Sequence, residues 1–344
     1  MMTRITRLCL LTVILLLTLT GVQAQADRGS RCQPLVTEFG LLYGNWRWLD
    51  SDTVEFGVWN GFPDDSMTKS RYAWYRYHPS SGILEKLSDN PYDELNLAGT
   101  SLAAVQLKNV QAGFIGLYDN VNISPNRKII VYSRQDGDTL DTWVIAPDAK
   151  IDTALGIGGG YVDVIWREDE QQFLLTGLDN ASNVLGPIQL VTLTDGKVSV
   201  QQLDKLKLIA GVFPKAFNVF GISPDGQYIV ITPETNDYRS WVLDLNQQKA
   251  SMVEFLLIGS KVVWTSPTTF IGIANGLGAI RYDIETGKQE VLAQPSEIGQ
   301  YEPNLPEGSF TAGGGPNGLS PNGQYLMAQG KQDVKREIVV CKIY

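Results

Sequence analysis

A short motif recurs at nearly constant spacing along the chain, and it constrains the fold more than any other feature of the sequence. Segments beginning Ile123-Ser124-Pro125, Ile222-Ser223-Pro224 and Leu319-Ser320-Pro321 each continue with Asn or Asp and then with a short apolar run. The serines therefore recur at positions 124, 223 and 320. Such a regular recurrence is typical of architectures in which one supersecondary unit is repeated and stacked.

Tryptophans mark three further starts of the same kind. Trp166 and Trp264 are separated by nearly the same interval as successive serines, and Trp48 begins a similar segment nearer the start of the chain. The six starts lie at positions 48, 124, 166, 223, 264 and 320, so that shorter and longer intervals alternate after the first. The first interval exceeds all the others, and this excess predicts an insertion at about residues 87–116.

Each repeat has the pattern of a small antiparallel sheet. Proline presets φ in a turn, and the Asp or Asn and Gly that follow it suit turn geometry. Strand patterns follow, such as residues 142–145 and 240–245, and turns such as Thr286-Gly287 precede a fourth, outer strand. Four short strands repeated at this spacing predict an all-β fold, a six-bladed β-propeller of four-stranded antiparallel blades. The alternative is seven blades, with the insertion forming part of the extra one.

The two ends of the chain are predicted to meet in one blade. A ring that stayed open would expose two sheet edges. Residues 35–42 can supply the outer strand of the blade that contains the final strand, residues 337–344. Cys32 and Cys341 lie beside these two segments. In an oxidising compartment we expect them to form a disulfide, and the alternative is a pair of buried free thiols.

The start of the chain, residues 1–26, has the pattern of a secretory signal peptide. Arg4 and Arg7 precede an apolar run at residues 8–19, and Ala24-Gln25-Ala26 resembles a cleavage site. The run is shorter than the roughly 20 residues that span a bilayer, and an uncleaved anchor is the alternative. We therefore predict a signal peptide at 1–26, a single propeller domain at 27–344, no membrane insertion after cleavage, and a secreted or periplasmic location.

The repeated turn resembles that of the TolB-like, WD-repeat-like propellers of exported bacterial proteins. The resemblance covers roughly residues 46–344. It implies that Ser223, Pro224, Asp225 and Gly226 form the turn between the first two strands of a blade. This chain differs from TolB because the segment between the predicted signal and the first blade is too short for a separate α/β domain. Binding to the Pal lipoprotein is therefore not implied.

Composition limits the chemistry that the chain can perform. The chain has 37 acidic and 28 basic residues, and this excess of negative charge argues against nucleic acid as a partner. His78 is the only histidine, which excludes zinc sites that need two imidazoles. Ser223 and Ser320 lie in near misses to the G-x-S-x-G nucleophile elbow that are one residue too long and recur with the turn. We predict no catalytic residue, no metal and no cofactor.

The candidate binding site is one face of the central channel. Propellers usually bind there, between the residues that begin each innermost strand and the loops that join the second and third strands. The predicted strand starts carry Tyr118, Asp119, Tyr161, Asp163, Phe217, Asn218 and Asn317. The same face holds Lys261, residues 136–141, Arg239 and Asn275. This mixture suits a sugar, a peptide or a cation, and it is also what any solvent-facing propeller mouth contains.

We expect an exported, non-catalytic module that binds a protein or an extracellular ligand, or acts as a scaffold. The alternative is an enzyme at the channel mouth, either a metal-dependent lactonase-like or a glycosidase-like hydrolase. Asp119 and Asp163 are the first candidates for a carboxylate pair. Two carboxyl groups about 5 to 9 Å apart, or three or more converging metal ligands, favour the enzyme.

Overall fold

The structure is a computed structural model and describes sixteen segments of the chain. They are residues 31–36, 46–59, 72–88, 121–124, 128–136, 139–146, 149–158, 162–167, 171–179, 184–194, 196–203, 217–233, 239–258, 261–298, 318–330 and 337–344. The predicted signal peptide and nearly all of the predicted insertion lie outside these segments.

Strands dominate the described residues, and they follow one another in antiparallel order within each of the first three sheets. The first strand, β1 (Cys32–Val36), belongs to the last sheet. Sheet 1 contains β2 (Trp46–Asp50), β3 (Thr53–Trp59), β4 (Tyr72–His78) and β5 (Ile83–Ser88). Sheet 2 contains β6 (Val121–Ile123), β7 (Ile130–Asp136), β8 (Thr139–Ala146) and β9 (Ile151–Gly158). Sheet 3 contains β10 (Val162–Trp166), β11 (Gln172–Asp179), β12 (Val184–Thr194) and β13 (Lys197–Gln202).

The second half of the chain repeats this arrangement. Sheet 4 contains β14 (Phe217–Ile222), β15 (Tyr228–Pro233), β16 (Trp241–Asp244) and β17 (Lys249–Met252). Sheet 5 contains β18 (Val263–Trp264), β19 (Thr269–Ala274), β20 (Gly278–Asp283) and β21 (Gln289–Ala293), and the short helix α1 (Pro295–Ile298) follows it. Sheet 6 contains β22 (Tyr325–Gly330) and β23 (Glu337–Lys342), with β1 beside β23. A bridge between Leu319 and Leu326 marks its innermost position.

The predicted six-bladed β-propeller is confirmed by these six sheets. The first strands of adjacent sheets face the centre of the ring, and β10 and β14 contact each other there. The last strand of each of sheets 1 to 5 is outermost, and in sheet 6 this place is taken by β1. Within the described segments, no helix has both the length and the apolar character needed to cross a membrane.

The core lies between neighbouring sheets because each inner strand buries both of its faces. In β11, Phe173 and Leu175 pack against sheet 2, whereas Leu174 packs against sheet 4, and all three are at most 1% exposed. Side chains alternate across a strand, so a continuous apolar run serves both neighbours. The described residues form such clusters at five of the six junctions, all but that between sheets 1 and 2.

The repeated Ser-Pro motif forms the turn between the first two strands of a sheet. Ser223 Oγ accepts a hydrogen bond from the Tyr228 amide at 2.9 Å and donates one to Asp225 Oδ1 at 2.5 Å. Ser320 makes the same two contacts, with the Tyr325 amide at 2.9 Å and Asn322 Oδ1 at 2.8 Å. Both serines are fully buried, so their hydroxyl groups hold the turn together.

The two ends of the described chain meet in sheet 6. β1 pairs antiparallel with β23 and places Cys32 directly opposite Cys341. These cysteines, 309 residues apart, form a disulfide. The predicted outer strand, residues 35–42, overlaps the observed strand Cys32–Val36 at its last two residues, and residues 37–42 lie outside the described segments. The observed strand begins earlier than predicted, since Cys32 is already paired with Cys341.

Candidate functional site

The mouth face comprises the first residues of the innermost strands and the loops between second and third strands. Four of the predicted binding residues lie outside the described segments: Tyr118, Asp119, Tyr161 and Asn317. The other three, Asp163, Phe217 and Asn218, belong to strands whose main chain is described. The distance between the carboxyl groups of Asp119 and Asp163 would separate the enzyme hypothesis from the binding hypothesis. Asp119 lies outside the described segments, and so this distance does as well.

Two of the predicted residues occupy equivalent positions in adjacent blades. Asp163 is the second residue of β10 and pairs with Thr176. Asn218 is the second residue of β14 and pairs with Thr232. Since β10 and β14 contact each other, the two positions lie at the same end of neighbouring innermost strands.

Several polar side chains at the mouth face bind main-chain groups. Lys261 Nζ donates to the Val219 carbonyl at 2.9 Å and so links sheet 5 to sheet 4. Asp141 Oδ1 accepts from the amides of Thr142 at 2.7 Å and Ile157 at 3.0 Å. The described segments contain no group of three or more His, Cys, Asp or Glu residues placed to hold a metal ion.

A buried hydroxyl pair lies near the same end of sheet 4, and sequence reasoning missed it. Thr232 Oγ1 and Ser240 Oγ are 2.6 Å apart. Ser240 Oγ also accepts from the Leu257 amide at 2.8 Å. Ser240 is fully buried, so its hydroxyl ties the segment between β17 and β18 to sheet 4. The one signal in the sequence is a serine just before Trp241 in a strand pattern.

A buried carboxylate in sheet 1 is the second residue that sequence reasoning missed. Glu55 is fully buried on β3, and its Oε1 accepts from Arg76 Nη2 of β4 at 2.7 Å. Val54 and Phe56 pack against sheet 6, so alternation places Glu55 on the opposite face of sheet 1. The signal for this pair was a glutamate between two apolar strand residues.

The single histidine lies where a strand ends. His78 is the last residue of β4, and its Nδ1 is 3.3 Å from the Thr53 hydroxyl oxygen. One position before it, Tyr77 is buried, and burial raises the pKa of its phenol. The phenol oxygen accepts a hydrogen bond from Gln33 Nε2 of β1. These contacts fasten sheet 1 internally and attach it to β1.

An open groove lies between the outermost strands of sheets 2 and 3. Its volume is 310 Å³. One wall consists of residues 150–155, from the start of β9, and the other of Gly196, Val198 and Val200 from β13 and its preceding turn. We call this the β9–β13 groove. Sequence reasoning did not identify it, because it depends on how the outer edges of two sheets face each other.

Exposed apolar side chains are concentrated on the same outer layer. Six large apolar residues are exposed among the described ones: Ile83, Leu84, Val200, Met252, Val291 and Tyr344. All except Tyr344 lie on the outermost strands of sheets 1, 3, 4 and 5. We call these four strands, together with the β9–β13 groove, the outer rim.

The comparisons with known proteins concern the fold. No family of known proteins matches the sequence, and no curated protein matches it. Solved structures of similar fold include TolB from Acinetobacter baumannii, which is 11% identical over 85% of this chain and 80% of that one, with a TM-score of 0.38. Oligogalacturonate lyase in complex with manganese is 10% identical over 92% of this chain and 98% of that one, with a TM-score of 0.42.

A chain of the mitotic checkpoint complex is 11% identical, with 92% of each chain covered and a TM-score of 0.45. TolB proteins are thus among the structural neighbours, in line with the resemblance seen in the turn motif. Similarities of this size say nothing about activity, ligands or partners.

Proposed function

We propose that this propeller is a binding or scaffold module that engages another protein through its outer rim. The proposal rests on the placement of the exposed large apolar residues. Among the described residues, five of these six lie on the outermost strands of sheets 1, 3, 4 and 5. Single exposed apolar residues are normal on any protein. Their restriction here to one layer of the fold is the feature that favours an interface there.

We further propose that the protein acts outside the cytoplasm, in the periplasm or after secretion. The disulfide between Cys32 and Cys341 supports this location. Disulfides persist in oxidising compartments and are rare where thiols are kept reduced. The signal-peptide pattern of residues 1–26 supports the same location.

The rim proposal is tested by site-specific photo-crosslinking. Benzoyl-phenylalanine is introduced at Met252 or Ile83 on the rim, and at Gln247, an exposed polar position in the turn before β17, as the control. Irradiation in the extracytoplasmic extract of the source cells is expected to give one defined adduct from both rim positions and none from the control. Equal labelling at all three positions, or no rim adduct, would contradict the proposal.

The mouth face remains our proposal for a second, small-ligand site. Its support is the equivalent placement of Asp163 and Asn218 on adjacent innermost strands, with Phe217 beside Asn218. Thermal-shift measurements with neutral sugars, short peptides and Ca²⁺ test it. A stabilising ligand whose effect disappears in both Asp163→Asn and Asn218→Ala, but not in Asn246→Ala in the exposed turn between β16 and β17, supports a site at these positions. If the ligand's stabilising effect persists in both Asp163→Asn and Asn218→Ala, the proposal is contradicted.

A further inference from the structure

Two methionines lie in the described segments, and they differ sharply in exposure. Met252, the last residue of β17, is 43% exposed, whereas Met327 on β22 is 1% exposed. Of the other three, Met1 and Met2 belong to the predicted signal peptide, and Met67 lies outside the described segments. An oxidant must reach the thioether sulfur to react with it. In the described part of the molecule, Met252 is therefore the methionine that is open to oxidants.

Among the exposed apolar residues described on the outer rim, Met252 alone contains sulfur. The side chains of Ile83, Leu84, Val200 and Val291 are hydrocarbons. Formation of a sulfoxide turns the flexible apolar side chain of methionine into a polar one. Oxidation would therefore remove apolar character from the rim at sheet 4 and leave the rim residues of sheets 1, 3 and 5 as they are.

A guanidinium group lies beside the sulfur. Arg239 Nη1 donates a hydrogen bond to Met252 Sδ, and the two atoms are 3.6 Å apart. A thioether sulfur is a weak acceptor. The oxygen of a sulfoxide carries partial negative charge and accepts more strongly from a charged donor. The ion pairs of the described segments involve Arg31, Arg76 and Arg281 and not Arg239, so its remaining N–H groups can bind the oxygen that oxidation would add.

The main chain around Met252 is held independently of its side chain. Met252 pairs with Trp241 across β16 and β17. The next residue, Val253, is buried, and its amide donates to the Ser240 carbonyl at 3.0 Å. The Ser240 amide donates in turn to the Phe255 carbonyl at 2.8 Å. A change at the Met252 sulfur should therefore alter the surface of sheet 4 and not its fold.

We propose that Met252 is a reversible oxidation site whose modification weakens partner binding at the sheet 4 part of the outer rim. The oxidant is a peroxide. With hydrogen peroxide, a sulfur lone pair attacks one oxygen and the O–O bond breaks. The transferred oxygen passes its proton to the departing hydroxide, so the thioether is oxidised to the sulfoxide and the peroxide is reduced to water.

Arg239 then donates a hydrogen bond to the sulfoxide oxygen. Methionine sulfoxide reductases restore the thioether, with a dithiol that becomes a disulfide and with release of the oxygen as water. Met-rich and flexible apolar surfaces are often used for binding, so a change of polarity at such a residue alters an interface directly. The inference rests on the proposed protein-binding role of the outer rim and names a regulation of it.

Peptide mass spectrometry tests the site. Folded protein and urea-unfolded protein are treated with hydrogen peroxide, and the gain of one oxygen atom is followed at each methionine. In the folded protein we expect Met252 to be oxidised at least about tenfold faster than Met327, and on unfolding the two rates should agree within about twofold. Similar rates at the two methionines in the folded protein overturn the proposal.

NMR spectra of the guanidinium groups test the role of Arg239. We expect the ¹H–¹⁵N signal of Arg239 to shift when the protein is oxidised. Arg281 is the matched control, because its guanidinium binds Glu290 on sheet 5, and its signal should stay in place. In Met252→Leu protein treated in the same way, the Arg239 signal should not move. An Arg239 signal that stays in place in the oxidised wild type overturns the assigned contact.

Photo-crosslinking tests the effect on binding. Benzoyl-phenylalanine is introduced at Ser251, the exposed neighbour of Met252 on β17. After peroxide treatment and removal of the peroxide, we expect at least about tenfold less adduct in the extracytoplasmic extract, and recovery after treatment with the reductases. In Met252→Leu protein, peroxide should leave the yield of adduct as it was before treatment. An undiminished yield in the wild type, or an equal loss in Met252→Leu, overturns the proposal.

Failure of this inference is distinguishable from failure of the rim proposal. If Met252 and Ile83 crosslink to a partner and oxidation leaves the adduct at Ser251 undiminished, the rim is an interface that Met252 does not regulate. If no rim adduct forms in either redox state, the rim proposal and the regulation are both wrong, whereas the oxidation rates still decide whether Met252 is the modified residue.

Discussion

Buried polar side chains in this propeller are bonded within the fold, and their energetic weight depends on how completely water is excluded. Ser223 and Ser320 are fully buried and each satisfies a main-chain amide. Glu55 is fully buried beside Arg76, whose side chain is 30% exposed. An exposed ion pair with similar geometry joins Arg281 to Glu290, also at 2.7 Å. The two pairs allow the effect of burial to be measured at equal distance.

Removing the arginine from the buried pair should cost far more stability than removing it from the exposed pair. Arg76→Ala leaves the Glu55 carboxylate without its arginine in a buried site, which typically costs about 3 to 5 kcal/mol of unfolding free energy. Arg281→Ala should cost less than about 1 kcal/mol, since exposed pairs are screened by solvent. Urea denaturation of both variants measures the difference. Equal losses would show that Glu55 does not depend on Arg76.

A second effect at the scale of single residues is the contribution of the Asp283 carboxyl group to stability, which depends on pH. Hydrogen bonds from the Thr286 hydroxyl, at 2.6 Å, and from the Thr286 amide lower the pKa of Asp283 below its ordinary value of 3.8. A carboxyl group whose pKa is lowered by folding adds stability above its unfolded pKa. This contribution is lost as the pH falls below 3.8 and through the folded pKa.

Thr286→Val removes the hydroxyl donor and keeps the amide donor. We expect the pKa of Asp283 to rise towards 3.8 without reaching it. Carboxyl ¹³C chemical shifts followed by NMR between about pH 2 and pH 6 measure the change around the reference carboxyl pKa. Thr194→Val, at an exposed position at the end of β12, should leave the titration of Asp283 unchanged. An unchanged pKa in Thr286→Val would show that the hydroxyl is not the main cause.

At the scale of single elements, the repeated turn shows how one motif acquires different constraints in different blades. Gly226 and Gly323 occupy the same place in their turns, with φ of 74° and 72°. Both need the left-handed backbone conformation that glycine adopts freely. Both glycines face the preceding sheet, but at different distances: a Cβ at Gly323 would be 2.6 Å from Ile271 Cδ1 of sheet 5, whereas at Gly226 the nearest atom, Arg167 Nη1, is 3.7 Å away.

Alanine substitution should therefore separate the two turns. Gly226→Ala carries the conformational cost of positive φ, about 1 kcal/mol. Gly323→Ala carries this cost and also forces Ile271, which is fully buried, to move, so we expect a total of about 2 to 4 kcal/mol. Thermal and urea denaturation of the two variants provide the comparison. A smaller loss for Gly323→Ala than for Gly226→Ala would mean that sheet 5 adjusts at no cost.

At the scale of the whole molecule, β1 holds the ring together where the two ends meet. The disulfide to Cys341 acts together with an ion pair between Arg31 and Glu297 at 2.8 Å. Gln33 also reaches Tyr77 of sheet 1, so the segment that contains β1 contacts sheets 1 and 6 and the helix after sheet 5. A strand with these contacts joins the last sheet to both of its neighbours.

Breaking the disulfide should destabilise the pairing of β1 with β23 more than the rest of the ring. Loop-closure entropy for a 309-residue separation gives an upper limit of about 5 to 6 kcal/mol, and native disulfides typically contribute about 2 to 4 kcal/mol. The double variant Cys32→Ala/Cys341→Ala should therefore lose about 2 to 4 kcal/mol of unfolding free energy. Hydrogen exchange should accelerate in β1 and β23 and stay unchanged in sheet 4.

The single variants Cys32→Ala and Cys341→Ala serve as controls for packing, since either one removes the bond. A reduced wild-type protein that unfolds at the same urea concentration as the oxidised one would contradict the stabilising role.

Much of the fold was predictable because its signals are local. Ser223-Pro224-Asp225-Gly226 specifies a turn through proline's fixed φ and glycine's positive φ, and alternating apolar residues specify strands on either side. The recurrence of this unit implied a ring, and a ring implied that Cys32 and Cys341 meet. The bounds of β1 were less well predicted, because strand register depends on the partner strand and not on the strand's own sequence.

What the sequence determined by itself was therefore the repeating unit, the ring of six sheets and the closure that brings the cysteines together. Only the tertiary structure decided that Glu55 lies buried beside Arg76 and that β9 and β13 enclose a groove. The physical reason is that both features depend on how two strands or two sheets are placed relative to each other. Turn chemistry and side-chain alternation act over a few residues, whereas such placement is set by packing across the ring.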